Sequence, residues 1–121
     1  MIMNEAGMSA EKRQSSRVQT SIPVRYRELR DGAEVVSVGT LTSDVSTGGL
    51  RFGTNKFISN ACRLMLELDI PTLTKPITAL SKVIWTQKVD ARDDCQYQVG
   101  NQFMEITKKD QELIATYLKS L

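Results

Sequence analysis

The sequence contains no histidine among its 121 residues. It therefore lacks the commonest general base, the commonest metal ligand, and the base of serine–histidine and cysteine–histidine nucleophile systems. Its two cysteines, Cys62 and Cys95, are too few and too widely spaced for a zinc site. No glycine-rich phosphate loop follows a strand pattern and opens a helix. We therefore expect a binding protein rather than an enzyme, with no metal and no resident cofactor.

Long apolar segments are also lacking. No run approaches the ~20 apolar residues of a membrane-spanning helix, and the N-terminal MIMNEAGMSAEKRQ has no apolar core of the secretory type. We therefore expect a cytoplasmic protein. Hydrophobic residues make up 40% of the chain and charged residues 25%, which is ordinary for one globular domain. Residues 1–10 are predicted to be a flexible lead-in, and residues 11–121 the folded domain.

The net charge of +2 is unevenly distributed along the chain. Between Glu11 and Arg30 there are six basic and two acidic residues, so this segment carries +4 and the remainder −2. Local positive charge attracts anions. The distribution therefore favours an anionic ligand close to this segment.

Alternation of apolar and polar residues predicts strands over most of the chain. The clearest case is CRLMLELDI, where every second residue from Cys62 to Ile70 is apolar. Five further strands are predicted in SIPVRYREL, VVSVGTLTSDV, GLRFG, ITALSKVIWTQKV and CQYQVGNQFMEI. Only TKKDQELIATYLKSL has helical spacing, with Thr107 as its predicted N-cap. We predict an all-β domain with one C-terminal helix, either a small barrel or a strongly curled sheet, with the helix covering one opening.

Two arginines four residues apart precede the first long strand pattern. Arg13 and Arg17 belong to the sequence RQSSR. Two guanidinium groups presented together suit a phosphate or the O6/N7 edge of guanine. A solvated basic tail explains the same residues.

The second motif, DVSTGG, lies between two strand patterns. A carboxylate such as that of Asp44 can accept two hydrogen bonds from the adjacent N–H donors of a guanine Watson–Crick edge. Ser46, two residues on, faces the same side of a strand and can donate or accept. Gly48 and Gly49 allow positive φ and the close approach of a ligand. An Asx-type turn, in which Asp44 bonds its own backbone, is the alternative.

Together the two motifs resemble those of the PilZ domain family, which has Arg-x-x-x-Arg near its start and Asp/Asn-x-Ser-x-x-Gly later. The sequence IPVRY resembles the family's first strand, and Gly100 to Phe103 resembles its late Gly-x-x-Phe strand. The resemblance extends from about Glu11 to the C-terminus, and no motif position departs from the pattern. It implies a six-stranded antiparallel β-barrel.

The resemblance also implies a receptor for cyclic di-GMP, a bacterial second messenger with two guanines and two phosphates. The implied contacts are a guanine edge for Asp44 and Ser46, close backbone approach at Gly48 and Gly49, and guanine Hoogsteen edges and phosphates for Arg13 and Arg17. Lys12 occupies a position that modulates ligand stoichiometry in the family. Ligand binding would order the N-terminal segment and so signal to a downstream protein partner. In the family the output is often motility, exopolysaccharide production or pilus function.

Two other functions fit the sequence. One is a PilZ-like protein-interaction module that binds no nucleotide, which the intact motifs disfavour. The other is a small barrel that binds single-stranded nucleic acid through aromatic platforms and a basic groove. Aromatic residues make up only 6% of the chain, and Phe52, Trp85 and Phe103 are predicted to lie in the core. Nucleic acid is therefore not the expected partner.

Overall fold

The structure, a computed structural model, describes residues 17–29, 37–89 and 96–121. Within these ranges the chain forms seven strands and one helix. They are β1 (Val18–Gln19), β2 (Pro23–Glu28), β3 (Val38–Val45), β4 (Gly49–Thr54), β5 (Arg63–Leu68), β6 (Ile77–Lys88), β7 (Tyr97–Glu105) and α1 (Lys108–Lys119). The predicted lead-in, residues 1–10, lies outside the described residues. In the described part of the chain, no helix is long and apolar enough to cross a membrane.

Six of the strands close into an antiparallel barrel. Strand β2 pairs with β3 and β5, β5 with β6, β6 with β7, β7 with β4, and β4 returns to β3. The short strand β1 extends the sheet by pairing with the end of β3, where Val18 lies opposite Val45. The predicted antiparallel barrel with a C-terminal helix is therefore confirmed, and β1 is an additional strand.

The core fills the inside of this barrel with the apolar residues that the alternation predicted. In β5, Leu64, Leu66 and Leu68 are fully buried, whereas the residues between them are partly exposed. Complete burial of such a side chain stabilises the fold by roughly 1.5–3 kcal/mol. The core cluster consists of Ile22, Val24, Tyr26, Val45, Leu50, Phe52, Ile58, Leu64, Leu66, Leu68, Ile70, Ile77, Val83, Val99 and Ile114.

Helix α1 packs on this core through one side. Its residue Ile114 is completely buried in the core cluster, and Leu113, Tyr117 and Leu118 pack against the cluster. Thr107 is the N-cap, as predicted, because its hydroxyl accepts a hydrogen bond from the backbone N–H of Asp110 at 3.1 Å. A helix of 12 residues is marginal alone, so its stability depends on this contact.

The three aromatic residues predicted in the core differ in their burial. Phe52 is fully buried and stacks on Tyr26 with ring centroids 4.8 Å apart. Phe103 is only partly buried and packs against the core cluster. Trp85 is also partly exposed, and its indole lies over Gly100, where an added Cβ would come within 2.3 Å of the ring. Gly100 is therefore the residue that makes room for the indole.

Candidate ligand-binding site

The DVSTGG motif forms the end of β3 and the turn into β4. The backbone N–H and the hydroxyl of Ser46 both donate to the carbonyl of Gly49, at 2.9 and 3.2 Å. The same hydroxyl accepts a hydrogen bond from the backbone N–H of Gly48 at 3.2 Å. Ser46 is only 4% exposed. Among the described residues, the turn is thus closed by Ser46, whereas the Asx-type alternative assigned this task to Asp44.

Two other elements hold the turn in place. The backbone N–H of Phe103 in β7 donates to the carbonyl of Gly48 at 2.9 Å. From helix α1, the side-chain amide of Gln111 donates to the carbonyl of Thr47 at 3.1 Å. The motif is therefore connected directly to the C-terminal helix, which a local reading of the sequence does not reveal.

The structure requires a glycine at position 49 for a reason that differs from the predicted approach of a ligand. An added Cβ would lie 2.1 Å from the backbone oxygen of Asn101 in β7, and the φ of Gly49 is outside the left-handed region. The close approach at this glycine is therefore between two strands of the barrel. Gly48, by contrast, is exposed and can be approached from solvent.

A β-bulge turns Asp44 outward. Thr42 pairs with Phe52 and Asp44 with Arg51, so Ser43 is an extra residue in β3. Thr42 and Val45 lie opposite the core residues Phe52 and Leu50, so they face the inside of the barrel. Asp44 lies opposite Arg51, whose side chain is 33% exposed, and directly opposed residues share one side of the sheet. Bulges commonly re-aim a side chain in this way. The extra residue therefore places Asp44 on the outer side of the barrel beside the turn.

The carboxylate of Asp44 is bound by two arginines. Arg17 Nη1 donates to Oδ1 at 3.0 Å, and Arg51 Nη2 forms an ion pair with Oδ2 at 3.0 Å. The side chain of Asp44 is only 8% exposed, whereas that of Arg17 is 50% exposed. Arg17 directly precedes β1, and the pairing of β1 with the end of β3 brings it to the motif turn.

Arg17 and the motif turn border a shallow cavity of about 240 Å³ on the barrel surface. Its lining includes Arg17, Ser46, Gly48, Gly49 and the exposed side chain of Ile84. Pockets that bury most of a drug-sized ligand have volumes of about 300–1,000 Å³. A ligand larger than this cavity would therefore extend beyond it over the neighbouring surface.

The predicted site residues in the described part of the chain come together here, namely Arg17, Asp44, Ser46, Gly48 and Gly49. Lys12 and Arg13 lie outside the described residues. Sequence reasoning missed Arg51, although the hairpin contained a signal for it. A tight turn at DVSTGG brings the end of β3 opposite the start of β4, which makes Arg51 the first basic neighbour of Asp44.

The excess of positive charge predicted from the sequence is partly neutralised. Arg25 on β2 binds Asp69 at 2.7 Å and Glu67 at 3.2 Å. These bonds to Asp69 and Glu67 raise the pKa of Arg25 above its ordinary value. Arg25 therefore does not contribute free positive charge, whereas Arg17 and Arg51 together exceed the charge of Asp44 by one.

Several solved structures share the fold of this chain. The Bacillus subtilis inhibitor of motility, MotI (DgrA), aligns with a TM-score of 0.72 at 18% identity, over 92% of this chain and 51% of its own. The PilZ domain of Escherichia coli YcgR, solved with c-di-GMP, aligns with a TM-score of 0.69 at 14% identity, over 92% of both chains. The K. pneumonia MrkH–c-di-GMP complex aligns with a TM-score of 0.65 at 20% identity, over 90% of this chain and 52% of its own.

At these identities the likeness concerns the fold, and this chain spans about half the length of the MotI and MrkH chains. None of the curated proteins compared with the chain matches it in sequence. The profile of the PilZ domain matches residues 11–120, which is nearly the whole chain. With both motifs and the barrel in agreement with this match, the chain belongs to the PilZ domain family.

Proposed function

We propose that this chain is a receptor for cyclic di-GMP. The observation that carries the proposal is the meeting of Arg17, Asp44 and the motif turn at one surface, although Arg17 and Asp44 are 27 residues apart. Two of the similar structures, the YcgR PilZ domain and MrkH, contain c-di-GMP, which supports the same ligand for this chain.

The chemistry of the surface suits a guanine and a phosphate. The carboxylate of Asp44 can accept from the adjacent N–H donors of a guanine Watson–Crick edge, and Arg17 can donate to a phosphate or to the Hoogsteen edge. The hydroxyl of Ser46 closes the turn, and its oxygen retains capacity to accept a further hydrogen bond. Gly48 is exposed, so a ligand can lie against its backbone.

The N-terminal segment completes the proposed site. The surface at the motif is shallow, so a dinucleotide bound there needs contacts from another direction. Arg13 is proposed to supply them, with Lys12 influencing how many ligand molecules bind. Binding then orders the segment before β1 and changes the surface offered to a downstream protein partner. Limited proteolysis near Arg13 should slow at saturating ligand, and equal rates with and without ligand would contradict this mechanism.

Titration calorimetry tests the receptor proposal. Cyclic di-GMP is titrated into the wild type, into Arg17→Ala and into Arg27→Ala, with GTP as the ligand control. Arg27 is an exposed arginine of the same basic segment on β2, so its replacement removes the same charge away from the motif. We expect binding to the wild type and to Arg27→Ala, and a loss of at least about tenfold in affinity for Arg17→Ala.

Two results would contradict the proposal. Absence of binding to the wild type at several temperatures would favour a PilZ domain that serves only in protein contacts. Equal weakening by Arg17→Ala and Arg27→Ala would indicate general charge attraction. In that case a steep salt dependence of oligonucleotide binding would favour the nucleic-acid alternative.

A further inference from the structure

The two arginines on Asp44 are held very differently. Arg51 lies within β4, which is paired with β3 on one side and with β7 on the other. Arg17 directly precedes the two-residue strand β1, which is paired with β3 alone. The side chain of Arg17 is 50% exposed and that of Arg51 is 33% exposed. Arg17 is therefore the partner with more freedom to leave Asp44.

The surroundings of the Arg51 guanidinium also indicate that it is the less mobile of the two arginines. Its Nε is buried and has no hydrogen-bond partner among the described residues. Arg51 lies opposite Gly100, which the Trp85 indole covers. A buried donor without a partner is unfavourable, so the 3.0 Å ion pair with Asp44 has to offset this cost for the guanidinium to stay where it is. Loss of that pair would leave the Arg51 guanidinium without the partner it has among the described residues, whereas Asp44 would keep Arg17.

The occupancy of Asp44 has a consequence for ligand recognition. Arg17 occupies Oδ1 and Arg51 occupies Oδ2, each at 3.0 Å. Each carboxylate oxygen can accept two hydrogen bonds, so a guanine edge can share Oδ2 with Arg51. At Oδ1 it meets Arg17, the more exposed of the two arginines, and competes with it for the approach from solvent. A displaced Arg17 is then available for the phosphate of the same ligand. Arg51 meanwhile offsets the charge of Asp44, which would otherwise repel a dianionic ligand.

We infer that Arg51 is a third arginine of the site, a positioning residue that stays on Asp44 while Arg17 transfers from Asp44 to the ligand. This inference rests on the proposed binding of cyclic di-GMP. It assigns the two arginines opposite behaviour, because the ligand releases Arg17 from the carboxylate and leaves Arg51 bound to it.

Side-chain NMR of the arginine Nε–Hε groups tests the exchange in the wild-type chain. Assignment uses Arg17→Lys and Arg51→Lys, each of which removes one signal. On titration with cyclic di-GMP, the Arg17 signal should shift strongly, and the Arg51 signal should keep its position. A shift of Arg51 as large as that of Arg17, or an unchanged Arg17, would overturn the inference.

Affinity measurements on Arg51→Met and Arg51→Lys add a second readout, with Arg27→Met as the matched surface control. We expect roughly tenfold weaker binding for Arg51→Met, partial recovery for Arg51→Lys, and no change for the control. In Arg51→Met, a higher concentration of cyclic di-GMP should be needed to shift the Arg17 Nε–Hε signal. Wild-type binding with an unchanged affinity in Arg51→Met would refute the positioning role alone. Absence of wild-type binding would instead refute the receptor proposal and, with it, the exchange.

Discussion

Replacing Gly49 by alanine tests whether this glycine serves the fold or the ligand. An added Cβ would lie 2.1 Å from the backbone oxygen of Asn101, whereas carbon–oxygen contacts are normally no shorter than about 3.3 Å. Strands β4 and β7 would therefore have to separate by roughly 1 Å. The position of a Cβ is fixed by its own backbone and the Asn101 oxygen is a backbone atom, so no side-chain rotation can relieve the overlap.

The expected loss of stability follows from two contributions. Overpacking of this kind costs about 1–3 kcal/mol. Separation of the strands also weakens the hydrogen bond from Phe103 N–H to the carbonyl of Gly48, now 2.9 Å, which contributes about 1 kcal/mol. We expect Gly49→Ala to lower the free energy of unfolding by about 3 kcal/mol. For a domain of this size, the melting temperature should fall by roughly 10 °C.

Gly39→Ala is the matched control in β3, because nothing lies within 4 Å of a Cβ added there. Its stability should be unchanged or raised by up to about 1 kcal/mol. Urea unfolding of both variants can be followed by the fluorescence of Trp85, the single tryptophan. If Gly49→Ala is within 0.5 kcal/mol of the wild type, about the scatter of neutral surface substitutions, the steric argument is wrong. Loss of ligand binding at unchanged stability would then assign Gly49 to the ligand.

Two further substitutions test the contacts around the site. Gly100→Ala should lower the free energy of unfolding by about 1–3 kcal/mol, because an added Cβ would meet the Trp85 indole at 2.3 Å. The fluorescence emission of Trp85 should also shift. Unchanged emission would contradict this packing. Gln111→Ala removes the hydrogen bond from helix α1 to Thr47 and should destabilise the fold by about 1 kcal/mol. If the helix positions the motif turn, Gln111→Ala should bind cyclic di-GMP more weakly than the wild type in calorimetry. Equal affinity would show that the helix does not contribute to ligand binding.

Local patterns predicted the secondary structure well because the relevant physics is local. Alternate side chains of a strand face opposite sides whatever strand pairs with it, so the leucines of β5 were placed correctly. The N-cap Thr107 depends only on residues within one helical turn. The motif residues Arg17, Asp44 and Ser46 were also chosen from the sequence, through their spacing and the family resemblance. The ligand contacts assigned to them, and those of Lys12 and Arg13, stay predictions.

The sequence by itself determined which segments become strands, which becomes a helix, and which polar residues stand out from both. The tertiary structure alone decided how those residues meet. The extra residue Ser43, the pairing of Asp44 with Arg51, and the contact between Gly49 and Asn101 all depend on strand register. Register is set by the closing of the whole barrel, where β4 must pair with both β3 and β7, so no single segment encodes it.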